Sequence, residues 1–487
     1  MEKRSKTVFK IIAVSFVLLI AVMLKIIVAD KTEYTLAAAG QHLEKTKVKI
    51  YRGMIYDRNL IPLVDCRSYI LTVNGKDGGG MRYNITKRYD DRSLARHLIG
   101  YVDSKNDGVS GLEKRFNDYL SGAGSYVISE ISDVNRKRIK NLPETVKNDG
   151  SRQSGICLTL DYHIQRAAES ILDKYKANGA AVCLDAENFD VLAMASRPDF
   201  DQNNVENYIN GGGSELINRA VSEYNAGSIF KIVTAAAALE NNAVKGGDIF
   251  YCGGFENIDG IDFVCNKNDG HKELNFYEAF AKSCNVCFYD TAILTGADRL
   301  YDMAKKFGLG QNVLGIEGER AGNADIGATR CDIANAAIGQ GKILITPLQA
   351  ARMAAVIANG GVMKNVNIVK NELGSDALLE KDLYSTSEKR IISKETAEKI
   401  KDMMYIAVSD GTGRVAYHKK LKICGKTGSA QTGWKTGESF MVHGWFVGFF
   451  PYNNPRYAMA VFLENGQSGA QAAKVFSDIA KEISTLG

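Results

Sequence analysis

Residues 226–240 read AGSIFKIVTAAAALE, and the rest of the chain can be interpreted outward from this stretch. Its last eleven residues are strongly helical, and a short turn at residues 225–227 leads into them. Ser228 and Lys231 are three positions apart at the start of this helix, so they share one helix face. The lysine amine can therefore lie beside the serine hydroxyl, which needs a base because it is barely ionised at neutral pH. Lysine serves as that base only if burial or a nearby cation lowers its pKa.

The same four residues have a simpler interpretation, in which Ser228 caps the helix and Lys231 lies on its surface. Taken alone, the pattern favours this second interpretation, although the chain contains no other S-x-x-K. A nucleophilic serine is therefore predicted only if other motifs support it.

A second candidate motif is S-x-N at Ser283 and Asn285, at a helix end or loop in the helical middle of the chain. The serine hydroxyl can relay a proton to a leaving amine, while the asparagine amide bonds to a substrate backbone. The same pattern occurs at residues 104–106, but polar turn residues surround it there, which is typical of capping or solvation.

The third motif is K-T-G, at Lys426, Thr427 and Gly428 and again at residues 435–437. The first triplet continues the predicted strand 421–424, whereas the second lies in a predicted hairpin loop. A strand can hold a cation and a hydroxyl toward a cleft, and glycine lets a peptide approach the strand edge. We therefore assign the site to the first triplet.

Strand and helix patterns predict an α+β fold with an antiparallel sheet flanked by helices. Apolar strands at residues 179–185 and 191–195 read as a hairpin, a helical region covers 228–359, and strands return at 421–424, 441–450 and 457–464. We expect three parts: a tail and transmembrane anchor at 1–29, an elongated α+β domain at 30–150 and the main domain at 151–487.

The N-terminal run at residues 11–29 is long enough to span a bilayer and carries a single charge, Lys25. Basic residues before it predict a cytoplasmic N-terminus, with everything after Asp30 outside the cell. A cleaved secretory signal is the alternative. The 45% hydrophobic and 24% charged composition excludes wholesale disorder, and the mild net charge of +5 does not suggest nucleic-acid binding.

The nine cysteines permit disulfides in an exported chain, but their odd number leaves at least one thiol free. Cys252 and Cys265 flank a Gly-rich loop and are a candidate disulfide pair. Cys284 and Cys287 have C-x-x-C spacing, but with no histidine pair nearby we predict two buried thiols and no zinc. His271 receives no role beyond loop structure, and no metal or cofactor is predicted.

The order S-x-x-K, S-x-N, K-T-G resembles that of the active-site-serine penicillin-recognising enzymes. Further segments look like parts of that family's transpeptidase domain: 159–161, 179–185, 218–219, 226–228, 283–285, 339–341, 346–349, 357–361, 445–451 and 464–466. Residues 52–59 and 108–113 resemble motifs of the non-catalytic domain of class B, monofunctional penicillin-binding proteins. The chain has no region of glycosyltransferase size, which also fits class B.

The resemblance implies a D,D-transpeptidase of cell-wall peptidoglycan with Ser228 as nucleophile, Lys231 as its base, and Ser283 with Asn285 as proton relay and substrate clamp. Lys426 and Thr427 would hold the donor's terminal carboxylate beside Gly428. The backbone N–H groups of Ser228 and Ser429 would form the oxyanion hole. Stem peptides would be the substrates, β-lactams would acylate the serine, and a membrane glycan polymerase would be a partner.

Three other functions remain open at this point. A carboxypeptidase or β-lactamase would need an activated water, and Glu319 with Asn323 has a spacing that could attract that interpretation. A catalytically idle chain would act as a scaffold for the polymerase. Redox control would act through the cysteines beside Ser283.

Overall fold

The computed structural model describes residues 2–29, 43–49, 52–64, 88–90, 93–121, 125–131, 145–148, 155–374, 378–436, 439–465 and 468–486. Cys66, the strand predicted at residues 68–73 and the charged turn at 76–80 lie outside these ranges. The chain divides into two compact units. The first comprises Met1–Tyr51, Tyr69–Asn84 and Ala123–Gln153, and the second comprises Arg52–Ser68, Ile85–Gly122 and Ser154–Gly487.

The described strands, in chain order, are β1 (Leu43–Lys49), β2 (Met54–Tyr56), β3 (Ser125–Ile131), β4 (Thr145–Asn148), β5 (Gly155–Leu158), β6 (Gly179–Asp185), β7 (Val191–Arg197), β8 (Tyr224–Asn225), β9 (Ile249–Cys252), β10 (Phe255–Ile258), β11 (Ile261–Val264), β12 (Lys272–Asn275), β13 (Leu344–Ile345), β14 (Val362–Lys364), β15 (Val369–Leu373), β16 (Leu379–Asp382), β17 (Glu388–Arg390), β18 (Cys424–Thr436), β19 (Ser439–Phe450) and β20 (Tyr457–Leu463). The described α-helices are α1 (Glu2–Leu24), α2 (Arg96–Ile99), α3 (Gly111–Arg115), α4 (Asn117–Leu120), α5 (Tyr162–Lys174), α6 (Glu206–Gly211), α7 (Lys231–Glu240), α8 (Phe276–Ala281), α9 (Asn285–Thr295), α10 (Ala297–Lys306), α11 (Arg330–Ala337), α12 (Pro347–Ala358), α13 (Lys394–Ser409) and α14 (Gly469–Ser484).

The first unit contains the N-terminal helix and a small sheet. Residues Arg4–Val28 are long and apolar enough to cross a membrane, by length and composition, and their side chains are exposed. Strands β1, β3 and β4 form an antiparallel sheet in the order β1-β3-β4.

The main sheet of the second unit has the antiparallel order β18-β19-β20-β6-β7. Successive side chains of a strand point to opposite faces, and here each face lies in its own hydrophobic core. Ala180, Val182 and Leu184 of β6 share a core with helix α12, whereas Ala181 and Cys183 share the other core with α5 and α14. Because helices cover both faces, β6 and β7 are apolar along almost their whole length.

The predicted fold class is confirmed, because the antiparallel main sheet pairs its own first strand in chain order with its last. Strand β20 pairs with β6, and β6 forms the predicted hairpin with β7. The predicted strand start at Leu421 is wrong, since the strand begins at Cys424. Lys422 has a left-handed backbone with φ of 46°, which interrupts an extended strand.

The two class B-like motifs, at residues 52–59 and 108–113, meet at one buried carboxylate in the second unit. Arg52 Nε donates to Glu113 Oε2 at 2.6 Å, and Arg88 Nε donates to Oε1 at 2.5 Å. Arg52 and Glu113 are both buried. Since buried charges require partners, the two motifs depend on each other for this structure.

We expect Glu113→Ala to destabilise the second unit by about 3–5 kcal/mol, because it leaves a buried guanidinium without its counter-ion. Lys114→Ala is the matched control. Lys114 pairs with Glu317 on the surface, where an ion pair contributes at most about 1 kcal/mol. Denaturant unfolding of the full chain in detergent, followed by tryptophan fluorescence, measures both. Equal losses of stability in the two variants would contradict this account.

Candidate active site

The serine predicted as nucleophile lies in a turn between the short strand β8 and a buried helix. A 3₁₀ turn at Gly227–Phe230 leads directly into α7, whose residues from Lys231 to Leu239 are all buried. Ser228 is half-buried and makes no side-chain capping bond, so the interpretation as a helix cap is wrong. The turn is held from behind, since Gly227 N donates to Gly339 O at 2.9 Å. A Cβ at Gly339 would lie 2.1 Å from Gly227 O, so only glycine fits there.

Lys231 is fully buried, and its amine is bound to the S-x-N motif. Lys231 Nζ donates to Asn285 Oδ1 at 2.7 Å, to Ser283 O at 2.8 Å and to Ser283 Oγ at 3.2 Å. Burial lowers the pKa of Lys231 to about 8. Within the part of the chain that the structure describes, Lys231 makes no hydrogen bond to Ser228. The sequence spacing therefore predicted the helix position of the amine, but not its closest partners.

Lys426 is the second fully buried lysine of the site. Its Nζ donates to Ser283 Oγ at 2.9 Å and to Thr427 O at 3.1 Å. Burial, and then the charge of Lys231, hold the pKa of Lys426 well below its usual range. Among the described residues, neither lysine has a carboxylate partner, so the two amines favour a state in which at least one is neutral.

Ser283 connects the two lysines, because its hydroxyl oxygen accepts from both amines. Its backbone is left-handed, with φ of 53°, between the end of α8 and the start of α9. This conformation is uncommon for serine and turns the side chain toward the lysines. The resulting chain of contacts, Lys231–Ser283–Lys426, is a route along which a proton can move.

The free edge of the main sheet borders the site. Strand β18 is an edge strand, so the side of Thr427, Gly428 and Ser429 away from β19 is not paired within the sheet. A Cβ at Gly428 would lie 3.0 Å from Ile229 Cγ2, which explains the need for a small residue beside the serine turn. An extended peptide can add to such an edge through main-chain hydrogen bonds.

A cleft of about 910 Å³ opens over these groups. Of the predicted site residues, Ser228, Ser283, Asn285, Thr427 and Ser429 line it. The two lysines lie beneath its floor, fully buried.

Sequence reasoning missed Thr412, which also lines the cleft. Its hydroxyl lies 2.6 Å from Thr427 Oγ1, so the two hydroxyls form one polar group at this end of the cleft. Thr412 stands in a loop after α13, far from the other motifs in sequence. No local pattern marks it, and only the packing of α13 against β18 reveals it.

The second occurrences of the S-x-N and K-T-G patterns lie away from the cleft. Ser104–Asn106 occupies a turn in which Lys105 N donates to Asp103 Oδ1 at 2.8 Å. Lys435 and Thr436 pair with Phe440 and Ser439 at the far end of the β18–β19 hairpin, and Gly437 lies outside the described residues.

Glu319 does not have the position that hydrolysis would need. Its carboxylate accepts from the backbone N–H groups of Val313 and Gly315, each at 2.6 Å, and it does not line the cleft. Asn323 pairs through its backbone with Leu344. These contacts are those of a structural loop, and they do not favour a hydrolase.

The predicted Cys252–Cys265 disulfide is not formed, because both residues are free thiols. Instead, both sulfurs face the ring of His271, and the sulfur of Cys265 also contacts that of Cys284. One histidine, His271, therefore stands near Cys284, although the sequence shows no histidine pair there. Cys284 and Cys287 are both buried, as predicted.

Three comparisons with known proteins bear on this site. The model of the penicillin binding protein transpeptidase domain matches residues 179–481. Stage V sporulation protein D of Bacillus subtilis is 30% identical over 423 residues, which cover 81% of this chain but only 63% of that protein. Peptidoglycan D,D-transpeptidase PbpA of Mycolicibacterium smegmatis is 30% identical over 415 residues, 79% of this chain and 80% of that one.

A solved structure with a similar fold is penicillin binding protein 3 of Mycobacterium tuberculosis complexed with ampicillin. It is 28% identical, covers 91% of this chain and 96% of that one, and has a TM-score of 0.73. The chain spans less than two thirds of the length of some curated relatives that it matches.

Proposed function

Because this chain belongs to the class B penicillin-binding proteins, we propose that it is a peptidoglycan D,D-transpeptidase that cross-links stem peptides through an acyl-enzyme on Ser228. The observation that carries the proposal is the chain of contacts Lys231–Ser283–Lys426 beneath a cleft that Ser228 lines. It supplies a hydroxyl nucleophile, two amines of lowered pKa and a hydroxyl between them, which acyl transfer requires.

In acylation, Ser228 Oγ attacks the carbonyl carbon of the penultimate D-alanine of a donor stem. Lys231 accepts the hydroxyl proton, the D-alanyl-D-alanine peptide bond breaks, and D-alanine leaves with a proton relayed through Ser283. An amine of a neighbouring stem then attacks the ester carbonyl. The acyl group moves to that amine, and Ser228 regains its proton. The backbone N–H groups of Ser228 and Ser429 bind the oxyanion in both steps.

Substrate binding is assigned to the edge of β18. The donor's terminal carboxylate is held by Thr427, with Lys426 behind it and Thr412 hydrogen-bonded beside it. Asn285 clamps the substrate backbone, and Gly428 lets the peptide approach the strand. β-Lactams acylate Ser228 as mimics of this donor.

Intact-protein mass spectrometry after incubation with penicillin tests the proposal. We expect a single adduct that persists for hours and maps to the peptide containing Ser228. Rapid loss of the adduct, with turnover of penicillin, would instead identify a hydrolase, which the structural role of Glu319 argues against.

The N-terminal helix is proposed to anchor the chain with its catalytic domain outside the cytoplasm, because basic residues precede the apolar run. Protease added to intact spheroplasts should then remove the catalytic domain. A membrane glycan polymerase is the proposed partner, and crosslinking in membranes followed by mass spectrometry of the captured protein tests it. Protection from protease, or capture of no polymerase, would contradict the respective proposal.

The rate of acylation should depend on pH through Lys231. Only the neutral amine accepts a proton, and burial lowers the pKa of Lys231 to about 8. Below that pH the neutral fraction falls about tenfold per unit, so the second-order rate constant for penicillin should rise about tenfold from pH 6 to 7 and level off above about pH 8.5. Thermal unfolding over the same range is the control for acid instability. A flat profile would exclude Lys231 as the base.

A further inference from the structure

Three cysteines and one histidine from separate parts of the chain converge beside the cleft. Cys252 ends β9, Cys265 follows β11, His271 precedes β12, and Cys284 stands immediately before α9. Their four ligand atoms all lie within 4.8 Å of one another, the cysteines are buried, and the histidine is half-buried. His271 Nδ1 is 3.5 Å from Cys265 Sγ and 3.8 Å from Cys252 Sγ, and the sulfurs of Cys265 and Cys284 are 3.8 Å apart.

We propose that Cys252, Cys265, His271 and Cys284 form a tetrahedral zinc site. Usual Zn–S and Zn–N bond lengths place two sulfurs about 3.8 Å apart, and a sulfur and a nitrogen about 3.6 Å apart, at the corners of a tetrahedron. The three separations above are close to these values. Four protein ligands leave no open position, so the metal has a structural role and not a catalytic one.

The arrangement fits a metal better than a disulfide. A disulfide needs sulfurs about 2.05 Å apart and uses two thiols, which would leave the third thiol and the imidazole without a function. Three thiols and an imidazole around one point are instead a frequent donor set for zinc.

The segment that carries three of the four ligands has little core of its own. Residues 249–275 form two small ribbons, β9 with β12 and β10 with β11. Large apolar side chains of these ribbons are exposed, among them Ile249, Tyr251, Phe255 and Val264. Small β segments of this kind need a staple, and a metal bound here would tie both ribbons to the start of α9.

The fourth ligand lies inside the S-x-N motif, so the metal would position catalytic groups. Cys284 stands between Ser283, whose left-handed backbone aims its hydroxyl at the two lysines, and Asn285. Asn285 Nδ2 also donates to Val264 O at 3.3 Å, next to Cys265. We therefore expect the metal to act on acylation through the placement of Ser283 and Asn285, a consequence that rests on the proposed function.

Metal analysis of the full chain, purified in detergent without a metal-affinity column, tests the site. We expect inductively coupled plasma mass spectrometry to find one zinc ion per chain. Cys252→Ser and His271→Ala should lose the zinc, whereas Cys183→Ala should keep it, because Cys183 is a buried thiol of β6 in the other hydrophobic core. Replacement of zinc by cobalt should give the visible bands of a tetrahedral thiolate site.

Two results would overturn the proposal. One is zinc that remains at one per chain in both ligand variants. The other is metal-free wild-type protein in which alkylation of the denatured chain finds two of the three thiols joined in a disulfide, which would establish redox control instead. Because a variant that loses a structural metal can fail to fold, the cobalt spectrum and the alkylation pattern of the wild type decide the question independently.

Penicillin labelling then tests the link to catalysis. Removal of zinc by a chelator should slow acylation of Ser228 about tenfold or more, and added zinc, but not magnesium, should restore it. Unchanged acylation after complete zinc removal would refute the positioning role. Wild-type protein that holds zinc but forms no penicillin adduct would refute the proposed function and leave the metal site intact.

Discussion

Ser228→Ala should abolish the covalent penicillin adduct and lower cross-linking of stem peptides by about 10⁴-fold or more, as expected when a nucleophile is removed from a serine acyl-transfer site. Ser228 borders the cleft above the buried amines, and its hydroxyl is the group proposed to form the ester. Fluorescent penicillin on a gel and intact-protein mass spectrometry measure the adduct. Stem-peptide dimers released in vitro measure cross-linking.

Ser222→Ala is the matched control for this variant. The Ser222 hydroxyl donates to Asn218 O in the segment just before the serine turn, and Ser222 does not line the cleft. It should label at the wild-type rate. In cells that depend on this chain, unchanged growth and cross-linking with Ser228→Ala would leave only the scaffold function.

Lys231→Met should reduce penicillin acylation by about 10²–10⁴-fold, the usual contribution of a general base. Methionine keeps most of the length of the buried lysine and removes only the amine. The variant loses the hydrogen bonds of the amine, but it also avoids the cost of burying that amine. Because these two effects oppose each other, we expect the free energy of unfolding to change by no more than about 2 kcal/mol.

The comparison between activity and stability decides the role of Lys231. Lys245→Met is the control, because Lys245 is an exposed lysine shortly after the same helix. A loss of acylation with little loss of stability supports a base. If Lys231→Met unfolds at a much lower denaturant concentration, and the fraction of unfolded protein accounts for the whole loss of acylation, the lysine is structural.

The strands of the main sheet and the place of the serine turn could be predicted from local patterns. Strand β6 begins and ends at the predicted residues 179 and 185. Such elements are long and apolar, and their hydrophobic pattern alone specifies them. The start of β18 could not be predicted in the same way, because the residue pattern at 421–424 does not indicate the left-handed backbone of Lys422.

The cysteines illustrate the opposite case. Sequence proximity suggested Cys252 with Cys265 as a disulfide, and C-x-x-C spacing drew attention to Cys284 with Cys287. In the folded chain Cys284 instead meets Cys252, Cys265 and His271, which approach it from two ribbons. The short ribbons themselves gave no strong strand pattern, so their convergence could not be inferred.

The sequence by itself determined the order of the three motifs, the identity of the nucleophile candidate and the α+β class, because each rests on residues that are neighbours in the chain. Only the tertiary structure decided that Lys231 and Lys426 share the hydroxyl of Ser283, that Thr412 joins Thr427, and that three thiols face one imidazole. These contacts join residues that lie from 6 to 143 positions apart in the chain. Helix and strand packing sets such distances, and local spacing carries no record of them.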